Sequence, residues 1–137
     1  MSKRSNEIGS KLAESVMVVE PDVLVRMTVA GYLRECGYRV VEAITGEEAL
    51  SILGAGVKVD AILSAVKLQG ALDGFALAQQ IREQFAGVQV ILTTGIAMTA
   101  KKAGELCDQG PRKRPYHPDL IVDRLKLLFE KHRPKPE

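Results

Sequence analysis

Five short apolar runs rich in β-branched residues alternate with five stretches of helical periodicity, and this alternation constrains the fold more than any other feature of the chain. The strand candidates are Val16–Val19, Arg39–Ala43, Ala61–Val66, Val88–Thr93 and, weakest, the Arg112–Arg114 region. The first, third and fourth read as continuous apolar runs, the pattern of central strands covered on both faces. The second is shorter and more mixed, which suits an edge.

The intervening segments carry helix signals of their own. Val25, Val29, Leu33 and Cys36 recur every three or four residues on one helical face, and Gly37 follows as a natural terminator. Thr45-Gly-Glu-Glu48 is a capping box that opens the next helix, which ends near Gly54-Ala-Gly56. Asp73 is placed to cap a third helix carrying Leu77, Ala78, Ile81 and Phe85. A fourth, less regular helix is expected from about Thr99 to Cys107, and a last one from Pro118 to about Lys131, with proline at its first position.

Regular βα alternation implies a parallel sheet with right-handed crossovers and helices on both faces. The expected fold class is therefore α/β: a flavodoxin-like, doubly wound (βα)5 three-layer sandwich with parallel sheet order 2-1-3-4-5. Ligands in such folds sit beyond the carboxyl ends of the strands, which directs attention to Glu20-Pro21-Asp22, Ser64-Ala65-Val66, Thr93-Thr94-Gly95 and Lys113-Arg114-Pro115. One domain is expected over residues 15–131, with flexible segments at 1–14 and 132–137. The length of 137 residues suits a single core.

Composition excludes several classes. With 46% apolar and 26% charged residues the chain has the balance of an ordinary globule, and no apolar run approaches a membrane span. The basic N-terminus has no apolar stretch behind it before Val16, so no secretory signal is expected. A net charge of +2 is too small to argue for nucleic acid. Cys36 and Cys107 form no CxxC pair, so buried free thiols and a reducing cytoplasm are the expectation. Gly54-x-Gly56 follows a helix and lacks a third glycine, so it reads as a terminator and not as a dinucleotide loop.

From Val16 to about Phe129 the sequence resembles the receiver domain of bacterial two-component response regulators. The resemblance is carried by VMVVEPDVLVRM, GYRVVEAITGEEAL, VDAILSAVKLQG followed by LDGFALAQQIRE, VILTTG and KRPYHPDLIVDRL, at matching separations. It implies a phospho-accepting aspartate at the end of the third strand and two acids after the first strand that help to hold Mg²⁺. It further implies a hydroxyl ending the fourth strand and a lysine ending the fifth.

Carried over position by position, most of that set is missing. Ala65 stands at the nucleophile position and has no lone pair to donate. Glu20 and Pro21 stand at the acidic pair, so one residual acid survives and Mg²⁺ binding is expected to be weak or absent, with no other cofactor. Arg114 replaces the lysine, keeping charge but changing length and donor geometry. Thr94 alone matches fully. Gln69 stands where a proline commonly follows the phosphorylation strand, and Pro111 where the aromatic switch residue would lie.

Less specific roles account for the neighbouring polar residues. Ser64 should face away from residue 65, because side chains alternate along a strand. Asp22 and Asp73 read as helix caps, and His117 and His132 lack partners for a metal or dyad. Arg112-Lys113-Arg114 is a short solvated rim with no stacking aromatics between its charges.

The implied function is a stand-alone, non-enzymatic, cytoplasmic pseudo-receiver in phosphorelay signalling that acts by protein–protein interaction. Its expected partner is a histidine kinase or other signalling protein, with a weak homodimer possible and no nucleic acid or membrane involved. On the last helix Ile121, Leu125 and Leu128 form the expected core stripe. Leu120 and Leu127, bordered by Arg124 and Lys131, are the candidate interaction surface. Two alternatives stay open: an altered or engineered form of a genuine phospho-accepting receiver, and a small flavodoxin-like nucleotide- or flavin-binding domain. The latter fits poorly, because Glu20-Pro21-Asp22 would repel phosphate.

Overall fold

The computed structural model of the chain describes residues 14–111 and Asp123. Four parallel strands, β1 (Ser15–Val19), β2 (Arg39–Ala43), β3 (Ala61–Ala65) and β4 (Gln89–Thr93), form one sheet in the order β2-β1-β3-β4. They alternate with α1 (Val23–Glu35), α2 (Gly46–Gly54), α3 (Gly74–Gln84) and α4 (Ile96–Asp108). The expected fifth strand, and the expected last helix apart from Asp123, which is helical, lie outside the described residues. Among the described residues no helix is long and apolar enough to cross a membrane.

The period of two along the strands divides the core into two layers. Val16 and Val18 of β1 join Val29, Leu33, Ala103 and Leu106 in a cluster beneath α1 and α4. Met17 and Val19 point the other way, packing with Leu53, Ile62, Leu77 and Ile81 beneath α2 and α3. All five residues of β1 are buried, as a central strand requires, while β2 forms the edge with a mostly half-buried pattern. The continuous apolar run of β4 predicts cover on both faces, but its Val90, Ile91 and Leu92 are only half-buried, and β3 is its one partner among the described residues.

Local polar chemistry sets the helix ends. Asp22 caps α1 by accepting from the Leu24 and Val25 N–H groups at 2.9 and 3.0 Å. Thr45 caps α2 through the Glu48 N–H at 3.1 Å, and Glu48 reaches back to the Ile44 N–H at 2.7 Å. Asp73 caps α3 through the Ala76 N–H at 2.8 Å. The fourth helix begins at Ile96, three residues before the Thr99 start expected from periodicity. Gly95 occupies its cap with no side-chain bond, so no Ser, Asp or Thr cap signals the start.

The two cysteines overturn the free-thiol expectation: Cys36 and Cys107 form a disulfide, with Cα atoms 5.4 Å apart. α1 and α4 lie side by side on one face of the sheet, and this brings their carboxyl-terminal ends together across 71 residues of sequence. Neither cysteine is free, so thiol content no longer points to a reducing compartment.

Candidate functional site

The register of the sheet gathers the strand ends. Val19 pairs with Ser64, and Ala65 pairs with Thr93, so the segments leaving β1, β3 and β4 open at the same edge. They bound a cleft of about 600 Å³, within the range of small-molecule sites. Glu20, Pro21 and Asp22 form one rim, Ala65, Val66 and Lys67 the floor, and Thr93, Thr94 and Gly95 the opposite rim. Val25 of α1 and Ile96 and Thr99 of α4 complete the walls.

The structure thus brings Glu20, Pro21, Ala65 and Thr94 into one cleft, as the sequence positions require of a shared site. Arg114 and the surface residues Leu120, Arg124, Leu127 and Lys131 lie outside the described residues.

Glu20 is half-buried, and its Oε2 accepts from the Asp22 N–H at 3.0 Å. Burial raises its carboxyl above the ordinary carboxylate range; the Asp22 N–H and the Arg26 charge oppose the rise, and the Asp22 charge adds to it. The Arg26 guanidinium is committed elsewhere. Its Nη1 donates to the Glu20 carbonyl at 2.9 Å and its Nε to Glu42 Oε1 at 3.2 Å, while Arg34 holds the other Glu42 oxygen at 3.2 Å.

Asp22 is fixed at the start of α1 by two capping bonds to Oδ1, and Ala65 supplies no side-chain oxygen. Among the described residues no group of three or more His, Cys, Asp or Glu side chains is gathered to hold a metal. Glu20 and the capping Asp22 are the two carboxylates among the described lining residues, and this donor set does not fit a Mg²⁺ site.

On the β4 side, Thr99 Oγ1 donates to the Gly95 carbonyl at 2.8 Å, and its distance to Thr93 Oγ1 is also 2.8 Å. A hydroxyl has one proton, so Thr93 is the donor to Thr99, and the pair fixes the first turn of α4 to the end of β4. Thr94 is exposed, and its hydroxyl and N–H face the Met98 sulfur at 3.6 and 3.4 Å. Ser64 is buried and donates to the Ala65 carbonyl at 2.9 Å, so it takes no part in the cleft lining.

A close approach shapes the floor. A Cβ on Gly74 would meet the Ala65 carbonyl oxygen at 2.5 Å and Val66 Cα at 2.8 Å, and the Gly74 N–H donates to the Val66 carbonyl at 2.7 Å. The loop between β3 and α3 is also tied to α2, where Glu47 Oε2 accepts from the Ala71 N–H at 2.8 Å. Reading of the sequence missed Lys67, a cation on the cleft floor, and the Thr93–Thr99 pair. Lys67 directly follows Ala65-Val66 at a strand end and was legible from that position; the threonine pair depends on where α4 begins.

Similarity to known proteins agrees with this arrangement. The signal receiver domain of an HD domain-containing protein from Pseudomonas fluorescens Pf-5 superposes with a TM-score of 0.58 at 23% identity, covering 87% of this chain and 96% of that one. Chemotaxis response regulator CheY4 of Vibrio cholerae gives 0.53 at 24% identity, covering 85% and 98%. At these identities the likeness speaks for the fold. Among curated relatives, the uncharacterized transcriptional regulatory protein YbdJ of Bacillus subtilis is 28% identical over 118 residues, covering 85% of this chain and 51% of that protein. Sensor kinase CckA of Brucella abortus is 34% identical over 120 residues, covering 85% of this chain and 13% of that protein. The chain spans about half the length of the transcriptional regulators it matches. The response regulator receiver domain matches residues 16–113, and the chain belongs to that family.

Proposed function

We propose that this receiver domain of two-component signalling does not accept phosphate at the usual position and works as a protein-binding module. The observation that carries the reading is Ala65, which ends β3 on the cleft floor where the family's acceptor carboxylate would stand. A methyl group cannot attack phosphorus, and among the described residues the cleft keeps a single carboxylate, Glu20, that is not spent on a helix cap. Mg²⁺ binding is accordingly weak or absent, and the domain catalyses no reaction of its own.

The partner in this reading is a histidine kinase or another signalling protein. The similarity of one relative named as a sensor kinase supports it, since a segment like this chain occurs within that protein. A weak homodimer through Leu120 and Leu127, bordered by Arg124 and Lys131, belongs to the same proposal, as does a cytoplasmic location without nucleic-acid or membrane contact. The test is incubation with Mg²⁺ and acetyl phosphate followed by intact mass. No phosphoryl adduct is expected, and stoichiometric phosphorylation would overturn the reading.

A further inference from the structure

The two helices that wall the cleft are covalently joined at their far ends. Asp22 and Val25 at the amino-terminal end of α1 line one wall, and Ile96 and Thr99 at the amino-terminal end of α4 line the other. Cys36 at the carboxyl cap of α1 and Cys107 in the last turn of α4 close the same pair of helices with a disulfide. Each helix is thirteen residues long, so bond and cleft lie at opposite ends of two adjacent rods. We propose that Cys36–Cys107 is a reversible redox tie that sets how firmly α4 is held against α1, and through it the spacing of the cleft walls.

The attachments of α4 explain why the tie matters. At its amino end the helix has a glycine cap with no side-chain bond, and the Thr93–Thr99 hydroxyl pair holds it to β4. Its carboxyl end has no basic residue in the last turn to complement the helix dipole. The Tyr38 hydroxyl grips the Leu106 carbonyl there, and the disulfide sits one residue further on. The buried cluster shared by the two helices takes Val25, Val29, Tyr32 and Leu33 from α1 and Ala100, Ala103 and Leu106 from α4. The two alanines bury little apolar area on the middle of α4, so the bond at Cys107 adds an attachment at the end of a stretch whose own side chains contribute modestly.

The chemistry balances with a dithiol as reductant. One of its thiolates attacks a sulfur of the Cys36–Cys107 bond, giving a mixed disulfide and releasing the other cysteine as a thiolate. Its second thiol then displaces the first cysteine. Two electrons and two protons pass to the cysteine pair, and the reductant leaves as a cyclic disulfide. Oxidised glutathione runs the reverse step and leaves as two thiols. Both cysteines are fully buried, so attack requires the last turn of α4 to open, and exchange is slow compared with that of an exposed disulfide.

The experiment uses the full chain, equilibrated with oxidised glutathione or with dithiothreitol and assigned by alkylation and intact mass. Amide hydrogen exchange then compares the two states. Reduction is expected to speed exchange at least tenfold across the hydrogen-bonded amides of α4, including that of Thr99 at the cleft, and to leave β2 and α3 unchanged. Cys36→Ala and Cys107→Ala variants should exchange like the reduced chain and ignore dithiothreitol. The proposal is overturned if oxidised glutathione does not close the bond. It is equally overturned if the change stops at the last turn, or if reduction opens the whole sheet, which would make the bond a structural staple. Should a variant fail to fold, the two states of the unmodified chain decide alone. The outcome is independent of whether Ala65 precludes phosphorylation, because the readout contains no phosphodonor.

Discussion

The Tyr38 hydroxyl donates to the Leu106 carbonyl, linking the turn after α1 to the last turn of α4 across 68 residues of sequence. Burial pushes the Tyr38 phenol up to about 12, and the Glu14 charge adds to the rise. A phenol held above its ordinary value favours the folded state while it is protonated. Its contribution is complete below pH ~10, the unfolded value, and is lost as pH rises through the folded value of about 12. Denaturant midpoints measured from pH 8 to 12 should fall above pH 10. Tyr38→Phe should remove this component of the alkaline slope and cost about 1 kcal/mol at neutral pH. The cost is modest because the Leu106 carbonyl keeps the Gln109 N–H as a donor at 3.1 Å.

Glu20 has the opposite consequence at neutral pH. Burial holds its carboxyl above the ordinary range, so the folded state binds the proton more tightly than the unfolded chain. Its favourable contribution is present below the ordinary carboxylate value and is lost as pH rises through the raised folded value. Glu20→Gln keeps an oxygen for the Asp22 N–H and removes the charge, so it should raise stability at pH 7 by about 0.5 kcal/mol or less, the range of partly exposed substitutions. The gain should vanish near pH 3.5. A variant less stable than the parent at pH 7 would show that the Asp22 N–H bond and the Arg26 charge together outweigh burial.

Gly74→Ala tests the packing that forms the cleft floor. The new methyl would collide with the Ala65 carbonyl and Val66 Cα, two backbone groups that no side-chain rotation can move. Strain of this kind costs about 1–3 kcal/mol. Thermal or urea denaturation should show that loss, whereas Gly31→Ala, where the new Cβ meets nothing within 4 Å, should be neutral or slightly stabilising.

How much of this was legible in the sequence follows from the range of each signal. Caps act over three residues, so Asp22, Thr45 and Asp73 announced three helix starts correctly. A run of apolar, β-branched residues marks one strand, and β1, β2, β3 and β4 fell within a residue of their expected bounds. The resemblance placed Glu20, Pro21, Ala65 and Thr94 together before any geometry was known. Long-range pairing was not legible: nothing in the spacing of Cys36 and Cys107 reveals that α1 and α4 are neighbours with matched ends. The start of α4 was missed because a backbone cap on Gly95 leaves no trace in residue type.

Rebuilding the acceptor site separates a missing nucleophile from a cleft that could not phosphorylate anyway. Ala65→Asp places a carboxylate at the end of β3, in the same cleft as Glu20. Like charges brought together raise one another's pKa unless a cation is shared. With Glu20 and the introduced carboxylate as the main acids, Mg²⁺ would be held poorly, because the capping bonds from the Leu24 and Val25 N–H groups fix Asp22 through Oδ1 at the start of α1. Adding Pro21→Asp supplies a third carboxylate at the rim and leaves the Asp22 cap in place. With acetyl phosphate and Mg²⁺, intact mass should show little adduct on the single variant and appreciably more on the double variant. Chelation of Mg²⁺ should abolish the gain. Equal phosphorylation of both variants would mean that Pro21 does not limit metal binding. No adduct on the double variant, with folding confirmed, would place the defect beyond these two positions, and Lys67 on the cleft floor is then the next residue to replace.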